Sequence, residues 1–395
     1  MDIDPELSTY IRTHRNDDVR RLALSDQKKL GDSLNYAMNQ ISGWQKAKEK
    51  IPSWCEIEGL VYPPHLSMEQ CSSEQTATYK ASLVKGDSFT DLTGGFGVDF
   101  TFIARNFKEA TLVERNPELC EIASHNLPLL GLPHAKVVNG DGIDHLNQMA
   151  HVDVLFIDPA RRDQQGRKTV SIADCEPNLL EVLERLRARA GKILIKYSPM
   201  LDITLAVKEL EGAESVHIVS VDNECKELLF LLSEEATENP QFHCVNLTKK
   251  GETHYTFTPE EERNATMHQA EEIGAYLYEP YSSLLKAGAY KSLCQRFSVG
   301  KLAVSSHLYT SDELNGEFPG RAFRVIDTFT LNKKEVKEHL GGITKANIAV
   351  RNFPLSANEL RDKLKLKEGG EQYIFATTHK EKRLLILCEK TEIKQ

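Results

Sequence analysis

Apolar residues at Leu30, Leu34, Ala37, Met38, Ile41 and Trp44 recur at the three-and-four spacing of a helix, and Pro52 and the Pro63-Pro64 pair punctuate the chain beyond them. The pattern predicts a helical N-terminal cap over residues 1–72. Ser72 and Gln75 stand at capping-box spacing and open a helix that ends near Gly86. From there short apolar runs at 88–92, 110–114, 135–138, 152–157, 192–196, 215–221 and 227–232 read as strands, most of them separated by helix-like segments. That alternation predicts an α/β domain over 73–235, a mostly parallel sheet of seven strands with covered faces. Only "DNECKE" joins the last two runs, too short for a parallel crossover, so the seventh strand returns antiparallel. Beyond residue 236, "FHCVNLTKKGETHYTF" reads as a hairpin, and Thr258, Pro259 and Glu261 supply an N-cap, a first-turn proline and a capping-box acid. Residues 236–320 form a mixed α+β connecting domain in which 277–320 resists assignment. The tail, 321–395, reads β-α-β-α-β-β, a small α+β domain of its own.

The 395 residues are 40% hydrophobic, which suits two or three packed domains. No apolar run approaches the roughly 20 residues that span a bilayer, and "MDIDPEL" is not a secretory signal, so a cytoplasmic protein with no membrane partner is expected. Eight cysteines without a C-x-x-C pair fit reduced thiols, and the 13 histidines form no H-E-x-x-H cluster, so no metal is expected. A net charge of −9 argues against a general coat for nucleic acid, yet residues 321–395 carry 16 Lys and Arg against 10 Asp and Glu. A basic tail on an acidic body predicts local contact with a polyanion.

The stretch "DLTGGFGVDF" sets Gly94, Gly95 and Gly97 between a strand ending at Asp91 and a helix from Val98. Glycines there let the backbone turn and approach a ligand without side-chain collision. Their spacing is not the G-x-G-x-x-G of dinucleotide folds. The next strands also end in acids. Glu114 stands where a carboxylate can accept both hydroxyls of a ribose, Asp141 where one can meet an adenine amino group, and Asp158 precedes Pro159. Four successive carboxylates on the carboxyl edge of a parallel sheet describe a nucleotide-like pocket.

The series Asp91-x-Thr93-Gly94-Gly95-x-Gly97, Glu114, Asp141 and Asp158-Pro159-Ala160 resembles the class I S-adenosylmethionine-dependent methyltransferases, over roughly residues 73–234. The resemblance implies a Rossmann-like methyltransferase sheet and S-adenosyl-L-methionine as cofactor. It puts the Gly94–Gly97 loop at the cofactor's methionine end, Glu114 at its ribose and Asp141 at its adenine. It also counts Asp91, Thr93, Phe96, Arg115, Gly142 and Asp158 among the cofactor-binding residues. Thr93 departs from the pattern, where glycine is more usual. "DLTGGFGVD" with "VERNP" is similar to the bacterial small-subunit rRNA guanine-N2 methyltransferases. The whole chain, with "NIAVRNFPLSANELRDKLKLKEGG", resembles a bacterial group of RNA methyltransferases carrying a C-terminal THUMP-like domain, and THUMP domains bind RNA.

Three acceptor chemistries remain open on the residues. Enzymes that methylate exocyclic amines carry an (Asp/Asn)-Pro-Pro-aromatic motif after the fourth strand; here Asp158-Pro159 is followed by Ala160 and Arg161, and Arg161 would stack or grip a phosphate instead. Lys80, Asp158, Lys196 and Glu224 or Glu227 stand in an order that resembles the Lys-Asp-Lys-Glu tetrad of ribose 2′-O-methyltransferases, in which a lysine serves as base. Cys225 is the cysteine placed for a covalent route to a ring carbon. The loop after Asp158 offers Arg161, Arg162, Arg167 and Lys168 to a phosphate backbone, and the tail offers Arg351, Arg361, Lys363, Lys365 and Lys367. The expected activity is methyl transfer to structured RNA, ribosomal or transfer, at a base amine or a ribose 2′-hydroxyl, with Asp158 orienting the acceptor beside Lys80 and Lys196. The competing readings are a non-catalytic RNA-binding scaffold and a protein methyltransferase.

Overall fold

The computed structural model describes residues 4–161 and 171–392. They fall into two compact units, residues 1–214 with 229–238 and residues 215–228 with 239–395.

The first unit opens with the expected helical cap: α1 (Pro5–His14), α2 (Val19–Ser25) and α3 (Leu34–Lys50), the last carrying the apolar spacing from Leu34 to Trp44. Asp4 accepts from the Glu6 N–H, and Pro5 occupies the first turn of α1, where no backbone donor is lost. Ala37, Met38 and Ile41 face Tyr10 and Leu22 in a small core. Past α3 the chain enters a larger core in which Ile51, Trp54, Tyr62 and Met68 pack with Phe96, Phe102 and Ile122. The cap and the strand–helix region thus bury their apolar surface against each other. The next helix, α4 (Glu74–Leu83), is capped by Ser73, whose hydroxyl accepts from the Thr76 N–H at 3.3 Å. The cap lies one residue beyond the expected Ser72, which frees Ser72 for another use.

Strands β1 (Ser88–Asp91), β2 (Glu109–Glu114), β3 (Lys136–Asn139), β4 (Val152–Ile157) and β5 (Ala190–Tyr197) form a parallel sheet in the order β5-β4-β1-β2-β3. Residues 229–232 continue it beyond β5. Helices α5 (Val98–Ile103), α6 (Pro117–Leu129) and α7 (Gly142–Gln148) follow β1, β2 and β3. Val154, Leu155, Phe156 and Ile157 are each at most 1% exposed, as expected of a central strand covered on both faces. Register pairs Asp91 with Leu112 and Phe156, and Glu114 with Asn139, so the four strand ends form one edge.

In the second unit β6 (Ser215–Val221) and the start of β7 (Glu224–Leu232) are joined by Asp222 and Asn223, both with positive φ (48° and 66°). A two-residue turn of that kind closes an antiparallel hairpin, as the short connection predicted. Strands β8 (Gln241–Thr248) and β9 (Gly251–Phe257) are the expected hairpin, and β8 runs parallel to β6. Thr258 and Glu261 form the predicted capping box.

The segment that resisted assignment contributes β10 (Tyr276–Pro280) and β11 (Tyr309–Ser311) to one antiparallel-rich sheet with the tail strands β12 (Gly320–Phe329), β13 (Asn347–Arg351), β14 (Gln372–His379) and β15 (Lys382–Thr391). A two-residue strand, Gly300–Lys301, edges it, and the order is Gly300–Lys301, β11, β10, β12, β15, β14, β13. The tail has the predicted β-α-β-α-β-β order, with Asn332 and Ser356 as N-caps of its helices. No helix among the described residues is long and apolar enough to cross a membrane.

Candidate active site

The edge of the first sheet carries two adjoining cavities, of about 440 and 200 Å³, that share Gln70, Thr93, Gly95 and Asp158. The larger is bounded by Glu114, Arg115, Asp141 and Gly142, the smaller by Asp91, the glycine loop, Asp99 and Lys196. The loop's shape follows from its residues. Gly95 and Gly97 hold positive φ (56° and 91°), and a Cβ on Gly94 would fall 2.3 Å from Leu112. Gly142 is equally constrained, since a Cβ there would fall 2.2 Å from the Leu92 carbonyl oxygen.

The acids first serve the backbone. Glu114 accepts from the Gly95 N–H (2.9 Å) and the Asn116 N–H (2.7 Å), which ties the loop to β2. Asp141 is the N-cap of α7, its Oδ1 accepting from Ile143 and Asp144. Thr93, where glycine was expected, accepts from the Asp158 N–H at 2.7 Å and so joins the loop to the end of β4. Asp91 is 1% exposed and accepts from the Thr93 N–H at 2.8 Å. Burial pushes its carboxyl well above the usual range, and the Thr93 bond only partly offsets this.

Beside the loop lies a network of four charges. Lys196 Nζ stands 2.5 Å from Asp158 Oδ2 and 3.3 Å from Asp99 Oδ2. Lys80, fully buried on α4, stands 3.2 Å from Asp99 Oδ1. Ser72 donates to Asp99 at 2.8 Å and lies within 3.4 Å of both ammonium groups. Burial alone would raise the Asp99 carboxyl; Lys80, Lys196 and the Ser72 hydroxyl overcome that and hold it below the usual range. Asp99 and Ser72 are the residues that sequence reasoning missed. An acid in a helix's first turn reads as a dipole partner, and only the pairing of distant segments shows that it joins two lysines. Cys71 and Gln70, from the N-terminal cap, also line the smaller cavity.

A family model described as "conserved hypothetical protein 95" matches residues 75–190, a "ferredoxin-like domain" model matches 276–319, and a "THUMP domain-like" model matches 320–390. A protein of Porphyromonas gingivalis W83, whose crystal structure is described as that of a candidate methyltransferase, is 33% identical; the likeness covers 99% of this chain and 100% of that one, with a TM-score of 0.88. The chain belongs to the class I S-adenosylmethionine-dependent methyltransferases with a THUMP-like domain. Two uncharacterized S-adenosylmethionine-dependent methyltransferases of Mycobacterium tuberculosis strains are 22% identical over 303 residues, 76% of this chain and 80% of theirs.

The other predicted residues have surroundings of their own. Glu224 lies in the second unit, exposed and 2.7 Å from Lys226. Glu227 is buried on β7. Cys225 is also in the second unit, and burial pushes its thiol up to about 12, which disfavours the nucleophilic thiolate. Arg115 is exposed and 3.3 Å from Glu176. Pro159 is buried; Arg161 belongs to a two-residue strand paired with Cys175–Glu176, and Arg162, Arg167 and Lys168 lie outside the described residues.

In the tail, Arg351 and Arg321 both pair with Glu279, which is 2% exposed, so Arg351 is committed to a buried acid rather than presented freely to a phosphate. Arg361 donates to Asn358 at 2.8 Å, and Lys363, Lys365 and Lys367 are exposed. Among the described residues no group of three or more His, Cys, Asp or Glu is arranged to hold a metal ion.

Proposed function

We propose that the protein methylates an exocyclic base amine in structured RNA, ribosomal or transfer, at the cavity beside Asp158. The observation that carries this reading is the Lys80–Asp99–Lys196–Asp158 network next to the glycine loop. Asp158, an acceptor-only carboxylate 37% exposed, can take an N–H of the incoming amine and fix its direction of attack. Lys196 is engaged as a donor between two carboxylates, which favours an orienting role over that of the free amine base a ribose hydroxyl would need.

The residues fit S-adenosylmethionine. Asp91 is a buried carboxylate flanked by Asp99 and Asp158, and a cationic group such as the cofactor's α-ammonium would offset its burial. Glu114 and Asp141 border the larger cavity, where they would meet the ribose and the adenine. When bound, the cofactor supplies a methyl carbon activated by its sulfonium. Asp158 would accept an N–H of the amine, hold its lone pair in line with that methyl group and take up the proton that the amine loses. The exposed Lys363, Lys365 and Lys367 of the THUMP-like domain would supply phosphate contacts that position the RNA without reading its sequence.

The test is transfer of labelled methyl to RNA from cells lacking this protein, followed by nucleoside analysis. A labelled N-methylated base, absent with Asp158→Ala, is expected. Label on a ribose oxygen would overturn the amine assignment, and label on protein alone would overturn the RNA reading.

A further inference from the structure

A third cavity of the first unit, about 420 Å³, lies in the N-terminal cap and shares no residue with the two beside Asp158. Its volume is that of an ordinary small-ligand site. Its lining divides by burial. Leu60 and Tyr62 are 8% and 5% exposed and Ile11 and Ile57 are partly buried, an apolar floor, whereas the Arg12 and Glu58 side chains are 62% and 84% exposed and form the rim.

The rim has a surplus of positive charge. Arg12 stands 3.9 Å from Glu58, but Arg15 has no carboxylate within ion-pair distance among the described residues. Its guanidinium lies 4.6 Å from the centroid of Trp44, another lining residue. A stacked guanidinium keeps its N–H edge for an anion, and the ring restricts the directions it can take. Neither arginine lines the cofactor cavities, and none of the floor residues does.

We propose that this cavity is a nucleotide subsite, which takes one unstacked nucleotide of an RNA strand with its phosphate on Arg12 and Arg15 and its base against Tyr62, Leu60 and Ile57. Single-stranded RNA is held in just these two ways, by cations on the backbone and by aromatic and apolar groups on splayed bases. The inference rests on the proposal that the substrate is RNA. It adds a second contact with the strand, one that orients the substrate without touching the methylated nucleotide.

Trp44 is the reporter, since the other tryptophan, Trp54, is fully buried in the core. The full chain is titrated with a nucleoside monophosphate and with a short unstructured oligoribonucleotide while tryptophan emission is followed, and Trp44→Phe gives the background. We expect saturable quenching by the oligonucleotide that is absent from Trp44→Phe and weakened about tenfold by Arg15→Ala, with the salt dependence reduced by about 0.7 per arginine removed. In the transfer assay Arg15→Ala should raise KM for RNA and leave kcat and cofactor affinity unchanged. Saturation by the free mononucleotide alone would overturn the strand assignment, and quenching unaffected by Arg12→Ala and Arg15→Ala together would overturn the site. Absence of labelled RNA with oligonucleotide binding intact would remove the acceptor reading and leave this subsite standing.

Discussion

In the first unit Lys80, Lys196, Asp99 and Asp158 gather beside a cavity; in the second, Arg321 and Arg351 close on Glu279. Both join carboxylate to cation away from bulk water, two lysines against two aspartates in the first and two arginines against a single glutamate in the second. They differ in where the carboxylate ends. Asp158 is 37% exposed at a cavity wall, while Glu279 is 2% exposed and both its oxygens are taken by guanidinium groups. A cluster with an accessible acceptor can act on a second molecule. A closed one holds strands together, here β10, β12 and β13.

The contrast can be broken by substitution. Asp158→Ala should cost transfer about 10²- to 10⁴-fold and leave cofactor affinity within about threefold, measured by labelled transfer and by calorimetric titration. Glu279→Ala should instead leave transfer intact and cost stability. Two cations lose their acid, and because each arginine is about a third exposed and can rehydrate, the loss of stability should be about 2 kcal/mol, read by denaturant unfolding, with cofactor affinity unchanged. If Glu279→Ala instead reduced transfer without reducing stability, the division between an acting cluster and a holding one would fail.

Within the first unit Asp91 and Asp99, both in the wall of the smaller cavity, are shifted in opposite directions. The raised carboxyl of Asp91 means that the folded state holds the proton more tightly, so its contribution favours folding below the ordinary carboxylate range and is lost as pH climbs through the raised value. The lowered carboxyl of Asp99 stabilises the fold above the ordinary range, and that contribution is lost as pH falls through its depressed value. Asp91→Asn should therefore weaken cofactor binding about tenfold with no loss of stability at neutral pH. Asp99→Asn should reduce neutral-pH stability and flatten the acid limb of the stability profile. Matching profiles for the two variants would contradict the assignment. The smallest effect is in the tail: Lys363→Ala with Lys365→Ala should lower the salt slope of RNA binding by about one to two, whereas Arg351→Ala should lower stability and leave that slope alone.

Most of the fold was legible because it depends on local patterns. All seven strands of the first sheet region, the β6–β7 hairpin, the capping box at Thr258 and the tail order follow from periodicity, capping residues and turn length. Segment 277–320 was not, because β10 pairs at long range, with β11 on one side and tail strand β12 on the other, and the segment carries no repeat of its own. The glycine loop and the four edge acids were legible by spacing. Asp99 was not, although it sits in the same ten-residue stretch, because its role exists only once Lys80 and Lys196 are brought to it. Arg351 misled for the same reason in reverse: its charge is visible in the sequence, and its buried partner 72 residues away is not.

Trp54 meets Phe96 edge-on, with ring centroids 6.0 Å apart, in the core that the N-terminal cap shares with the glycine loop. A chain shortened to the methyltransferase signature would lose the wall behind its own cofactor loop. Natural shuffling of the catalytic region into another protein would have to carry the first 72 residues along, or evolve a substitute for Trp54.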